Sequence, residues 1–264
     1  MTVRSALAVI VALAGCAGSV SKNTPWGPLP AGCQTDGSDP VAAEACIGWV
    51  LDRLLMTEVW KEHPDRDLAV YVGAVGLRMA AAGRVRGVQV RVLDEEEPQG
   101  WSLPGGYVYV TRGALAHLDS EAELAALLGH EIGHLAAGHG EDLFATGGPP
   151  EPSAVLGLLE HERDEERQAD ELAVGYLIAA GYPPHAIASM LVNLETAATE
   201  MAEARARQSP APVDADADDA SAEGEHPALP ARIARALLIA HGHTGGDLGA
   251  QRYRAHTASL RADR

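Results

Sequence analysis

The stretch from Ser120 to Gly138, SEAELAALLGHEIGHLAAG, decides how the rest of the chain is read. Ser120 suits a helix N-cap, and Glu123 three residues on completes a capping box. Leu124, Leu127, Leu128 and Leu135 surround His130-Glu131-Ile132-Gly133-His134 in the middle of that helix. Residues i and i+4 lie about 40° apart around a helix and one turn along it, so both imidazoles can reach one ion. Glu131 sits on the flank, placed to take a proton from water that the ion activates. His130 and His134 are therefore candidate metal ligands and Glu131 a candidate general base. The competing reading is a pair of satisfied histidines on a helix face.

The next question is the third ligand. A further His six residues after His134 would supply it, but that position is Gly140. His139 lies about 140° around the helix from His134 and cannot face the same ion while the helix stays regular. A later helix, expected over about Ala154 to Ala180, offers Glu166, Ala169, Asp170, Ala173 and Leu177 on one stripe. Two carboxylates on a stripe of small and apolar residues repel each other if buried alone, and a cation removes the conflict. Glu166 is the expected third ligand. Asp170, one turn on, is expected to accept the ring N–H of a ligating histidine. His161, Glu162, Asp164 and Glu165 read as the solvated face of the same helix.

The remaining elements follow from periodicity. A helix opens at Pro40 and runs to about Lys61, with Val41, Ala45, Trp49, Leu51, Leu54, Leu55 and Val59 as its apolar positions. A second runs from about Asp65 to Ala82, with Leu68, Val72, Val75, Leu77 and Met79 as candidate core. Gly87 to Leu93 alternates as a strand, Trp101 to Leu103 is a short strand, Pro104-Gly105-Gly106 a turn and Tyr107 to Thr111 another strand. A short helix covers about Arg112 to Leu118. Helices are expected over about Pro184 to Arg207 and Pro230 to Ala240, followed by a polar tail. Residues 208–225 read as a mobile acidic loop. The result is an α+β chain, mostly helical, with a small sheet.

The N-terminus reads as an export signal over residues 1–15: Arg4, then the apolar run Ala6 to Ala14, too short to span a bilayer as a mature helix. It ends in Leu13-Ala14-Gly15-Cys16, which resembles a bacterial lipobox, with Cys16 the lipidated first residue. Residues 16–40 then form a tether and 41–264 the functional domain. Ala17 after the cysteine favours the outer membrane, facing the periplasm. Cys33 and Cys46 remain, and an oxidising periplasm permits a disulfide between them.

Composition excludes several classes. A net charge of −17 is the opposite of a nucleic-acid footprint and of docking on anionic lipid by charge. Three cysteines are too few for a disulfide framework or a cysteine-based zinc site. With 47% hydrophobic residues but a single Phe, the core must be built from aliphatic side chains and alanine.

Together the motifs resemble the HtpX-like and BepA-like zinc metallopeptidases, a branch of the gluzincins. The likeness rests on HExxH at His130–His134, on ExxxD at Glu166–Asp170, and on LPGGYVYVTRGAL from Leu103 to Leu115. His226-Pro227 followed by Arg232-Ile233 completes it. It covers about Asp65 to Ala240. It implies a zincin-type fold with the sheet over the active-site helix, one Zn2+ held by His130, His134 and Glu166, and endopeptidase activity on unfolded or misfolded periplasmic or outer-membrane proteins. The alternative is a chaperone or assembly factor that binds such proteins with little cleavage.

His226 and Arg232 become candidate oxyanion donors, with His226 also a candidate gate over the metal. Gly100, Trp101 and Ser102 become a candidate substrate-binding strand, with Trp101 either an apolar contact for substrate or a core residue. Two departures from the family pattern stand out. Gly100-Trp101-Ser102 replaces an Asn-Ala-Phe-like segment, and Gln168 stands where many relatives have Glu.

Overall fold

Tyr107–Thr111 carries four consecutive residues that suit a strand buried on both faces, aromatic on one side and aliphatic on the other. In the computed structural model, which describes residues 23–24, 27–28, 40–139, 161, 163–208 and 229–262, it is the central strand of the sheet. In chain order the elements are β1 (Asn23–Thr24), β2 (Gly27–Pro28), α1 (Pro40–Glu58), α2 (Arg66–Gly83), β3 (Gln89–Leu93), β4 (Gly100–Leu103), β5 (Tyr107–Thr111), α3 (Arg112–His117) and α4 (Glu121–Ala137). There follow α5 (Arg163–Ala180), α6 (Ala186–Gln208), α7 (Leu229–Ala240), α8 (Ala250–His256) and α9 (Ala258–Ala262).

The main sheet has the order β3-β5-β4, with β3 parallel and β4 antiparallel to β5. Period-2 alternation sends Val108 and Val110 to one face and Tyr107 and Tyr109 to the other. The Val face joins Val92, α2 and α4 in the main core. The Tyr face packs with Leu93 and Leu103 against Val50, Leu54 and Leu55 of α1. The sheet is thus a middle layer, with α1 on one side and the helical body on the other.

Helix α4 is buried around nearly its whole circumference from Glu121 to His134, which marks it as the central helix of that body. It caps as its sequence suggests. Ser120 Oγ accepts from the Glu123 N–H at 3.2 Å, and Gly138 closes the helix in the left-handed conformation, φ 75°. The reciprocal half of the box differs: the Glu123 carboxylate accepts from the Asp119 N–H at 2.7 Å, one residue before the cap.

Several expectations need correction. Leu77 is 58% exposed and Val59 36%, and Ala45 also faces solvent, while Cys46 and Val50 fill the core side of α1. Apolar residues on amphipathic helices outnumber the positions that packing can cover. Val41's side chain lies outside the described residues. Helix α5 begins at Arg163 and His161 is not part of it; residues 154–160 lie outside the described residues. The polar tail folds back. Tyr253 of α8 is fully buried and donates its hydroxyl to the Leu115 carbonyl at 2.5 Å. A lone aromatic in a polar stretch was the available signal. Cys46 is disulfide-bonded, and its partner, expected to be Cys33, lies outside the described residues, as do Cys16, residues 1–15 and, apart from the helical Gln208, the acidic stretch 208–225.

Glu121 pins α8 to the body. Its carboxylate is buried and accepts from Tyr182 (2.9 Å), Tyr71 (3.0 Å) and Arg252 (2.9 and 3.0 Å). Burial pushes this carboxyl up, but the bonds from Arg252, Tyr182 and Tyr71 outweigh it and hold its pKa below the ordinary value. A carboxyl depressed in the folded state stabilises the fold above its unfolded pKa, and that contribution is lost as pH falls through the folded value. Glu121→Gln should therefore lower the melting temperature at pH 7. The gap to wild type should close as pH drops below about 4.3, the ordinary glutamate value. A gap that stays constant from pH 7 to pH 3 in thermal melts contradicts this account.

Candidate metal centre and cleft

The centre forms where α4 and α5 cross. A Cβ on Gly133 would lie 3.0 Å from the Ala169 carbonyl oxygen and 3.1 Å from its Cα, so glycine here sets how closely the two backbones approach. Across this contact, α4 presents His130 and His134, and α5 presents Glu166 and Asp170 on its buried stripe with Ala169, Ala173 and Leu177. That is the stripe read from the sequence.

The donor atoms converge. His134 Nε2 is 3.1 Å from His130 Nε2 and 3.4 Å from Glu166 Oε1, and His130 Nε2 is 3.6 Å from Glu166 Oε2. All three residues are buried. Nitrogen and oxygen ligands about 2.0–2.1 Å from a tetrahedral zinc sit about 3.3–3.4 Å apart, and the three observed contacts, which reach both Glu166 oxygens, fall around that spacing. The donor set therefore fits zinc.

Asp170 Oδ1 lies 3.0 Å from His130 Nδ1, the expected pairing, although out of line for a straight hydrogen bond. Arg232 of α7 reaches both carboxylates. It donates from Nε and Nη2 to Asp170 at 2.8 and 2.9 Å, and Nη1 stands 2.8 Å from Glu166 Oε2. Burial raises the Glu166 carboxyl, but His130, His134 and Arg232 outweigh it and hold the pKa well below the carboxylate range. For Asp170 the bonds from Arg232, with the nearby His130 ring, outweigh burial in the same way. His134, desolvated, is held down to about 3, which keeps its ring neutral and its lone pair available. Glu131 is pushed up to about 7 by burial, against the pull of His130 and of a hydrogen bond from Ser102.

These groups floor a cleft of about 540 Å³. One wall is Gln99, Gly100 and Trp101; the other is Met190, Leu191 and Leu194 of α6. Gly100 and Ser102 face α4: a Cβ on Gly100 would come 3.2 Å from Glu131 Oε1. Trp101 points the other way and stacks on Trp60, ring centroids 5.1 Å apart, so its ring serves mainly the second core. Arg232, expected at the oxyanion, spends three of its contacts on the Glu166 and Asp170 carboxylates. His226 lies outside the described residues.

Two residues of the centre were not assigned from the sequence. His139 was set aside because a regular helix points it away. The left-handed Gly138 ends the helix first and returns the His139 ring to His134, Nδ1 to Nδ1 at 2.9 Å. His161, read as solvated, is only 10% exposed and stacks on His134 with centroids 3.7 Å apart. The Gly138 C-cap was the signal for the first; nothing in the local sequence marks the second.

Gly133→Val should force α4 and α5 apart. Overpacking of this kind costs about 1–3 kcal/mol, so thermal stability and zinc affinity should fall together. Zinc affinity at the wild-type level in a chelator competition would show that the close approach does not set the ligand geometry. Glu166→Ala should lower zinc content after dialysis more than Asp170→Ala does, because the first removes a donor and the second a partner of His130. The reverse order would reassign the ligand.

Comparison with known proteins agrees with this geometry. Residues 69–155 match the model of Peptidase family M48. The mitochondrial metalloendopeptidase OMA1 of Arabidopsis thaliana is 31% identical over 129 residues, 40% of this chain and 26% of that protein. A protease HtpX homolog of Pyrobaculum islandicum is 36% identical over 88 residues, 33% of this chain and 25% of the relative. The beta-barrel assembly-enhancing protease of Escherichia coli K12 is 22% identical over 161 residues, 49% of this chain and 33% of that protein. The chain spans between 25% and 52% of the length of the curated relatives it matches. M48 peptidases are zinc-dependent, in keeping with the buried His130, His134 and Glu166 donors. The HExxH helix lies inside the segment, residues 69–155, that matches Peptidase family M48, the third donor lies on the helix packed against it, and the relatives this part of the chain resembles include an HtpX homolog and a beta-barrel assembly-enhancing protease.

Proposed function

We propose that the chain is a zinc-dependent endopeptidase acting on unfolded or misfolded periplasmic or outer-membrane proteins. The observation that carries this reading is one cleft floor holding two imidazoles, a third, carboxylate donor and a separate carboxylate, Glu131, beside β4, the edge strand of the sheet among the described residues. A site that only binds unfolded chains has no use for Glu131. Bound zinc supplies Lewis acidity toward the scissile carbonyl and lowers the pKa of water. Glu131 accepts the proton of the attacking water at its carboxylate and returns it to the leaving amine. Its buried position beneath Gly100 places that carboxylate at the cleft floor. Arg232 holds Glu166 and Asp170 in place and so orients the ligands.

The edge of β4 offers backbone groups to an extended substrate. Location at the outer membrane through lipidated Cys16 is supported by Leu13-Ala14-Gly15-Cys16 and by likeness to proteins named for β-barrel assembly. Among the described residues no helix is long and apolar enough to cross a membrane.

Glu131→Gln should leave zinc stoichiometry unchanged and lower casein hydrolysis about 10²–10⁴-fold, the usual worth of a positioned acid–base group. Turnover within tenfold of wild type, measured on the purified full chain, sinks the assignment.

A further inference from the structure

His134 is the most enclosed of the three donors, its side chain only 1% exposed. Its two ring nitrogens have different neighbours. Nε2 faces His130 and Glu166, while Nδ1 faces His139 Nδ1 at 2.9 Å. On the far side, His139 Nε2 stands 3.1 Å from Gln168 Oε1. His161 covers the flat face of the His134 ring, planes 16° apart.

The proton positions in this chain are determined once one end is fixed. A neutral imidazole that gives its Nε2 lone pair to an ion carries its proton on Nδ1. His139 Nδ1 must then accept that proton's hydrogen bond. A neutral His139 carries its own proton on Nε2, the nitrogen that faces an amide oxygen. Each contact has one donor and one acceptor, and all run outward from the centre to the surface. The opposite direction would put a proton on His134 Nε2, aimed at His130 and Glu166, and would remove the donor.

We propose that His139, oriented by Gln168, is a positioning residue that selects Nε2 of His134 as the ligating nitrogen and fixes the ring's direction. The inference rests on the zinc-peptidase reading above. It gives Gly138 a task beyond ending the helix, since a continued helix would carry His139 about 140° away. It also gives a reason for Gln168 in place of Glu: an amide oxygen accepts from His139 Nε2–H without adding a fourth carboxylate next to Glu165, Glu166 and Asp170.

The test uses the zinc-loaded full chain with 15N-labelled histidines. The expected spectrum has His134 protonated at Nδ1 and His139 protonated at Nε2. A proton on His134 Nε2, or on His139 Nδ1, overturns the proposal without any substitution. In chelator competition, His139→Leu should weaken zinc binding about 10–100-fold, the usual worth of a partner that orients a metal ligand. His139→Gln, whose amide oxygen can accept from His134, should recover most of it, and Gln168→Leu should show a smaller loss than His139→Leu. Wild-type zinc affinity in His139→Leu overturns the proposal and leaves the peptidase reading intact. A wild-type chain that fails to bind one zinc defeats the peptidase reading itself.

Discussion

Glu166 and Asp170 sit one turn apart on the buried side of α5. Taking two carboxylates out of water costs several kcal/mol each unless opposite charge and hydrogen bonds replace the hydration. Arg232 answers part of that demand, bonding Asp170 through two nitrogens and Glu166 through a third. His130 answers another part at Asp170. What remains is the inner side of Glu166, opposed by two imidazole nitrogens, and a divalent cation settles it. The rest of the fold follows from this constraint. Gly133 is small so that α5 can come close, α7 must deliver one arginine across the top, and α4 is packed on its other sides so that the donors are held at the cleft floor.

The α4 helix and its two histidines, the α5 stripe and the sheet strands were legible because each rests on local periodicity. Glu166, Ala169, Asp170, Ala173 and Leu177 share a face at helical spacing, and all five are buried together. β5 was legible to the residue because Tyr-Val-Tyr-Val-Thr suits a strand with a core on either side. Features that depend on tertiary contact were not legible. Leu77 has the right spacing and is nonetheless exposed among the described residues. Tyr253 is buried because Gly246 and Glu121 hold the returning chain close to α4 and Tyr182, which no local pattern announces. His161 precedes its helix and is buried by stacking on a residue nearly thirty positions upstream.

His139 lies between these cases. Helical geometry points it away from His134 only while the helix continues, and Gly138 ends that geometry one residue earlier. Helix periodicity and capping chemistry gave different answers for the same residue, and the cap prevailed because left-handed glycine reverses the chain direction.

The two walls of the cleft differ in kind, and that difference bears on what it can accept. β4 is the sheet's edge, and its inward positions are Gly100 and Ser102, so this wall offers backbone and little side chain. Trp101, which would have made the wall apolar, is turned away and held by Trp60 and the second core. Backbone recognition is indifferent to sequence but demands an extended partner. Selectivity, on the peptidase reading, then falls to the opposite wall, where the half-buried Leu194 is backed by the buried Met190 and Leu191. A folded substrate presents neither a free strand nor an exposed apolar side chain to such a cleft. An unfolded one presents both along its length, so under the proposed function the same two walls that admit it would limit cleavage to chains that have lost their structure.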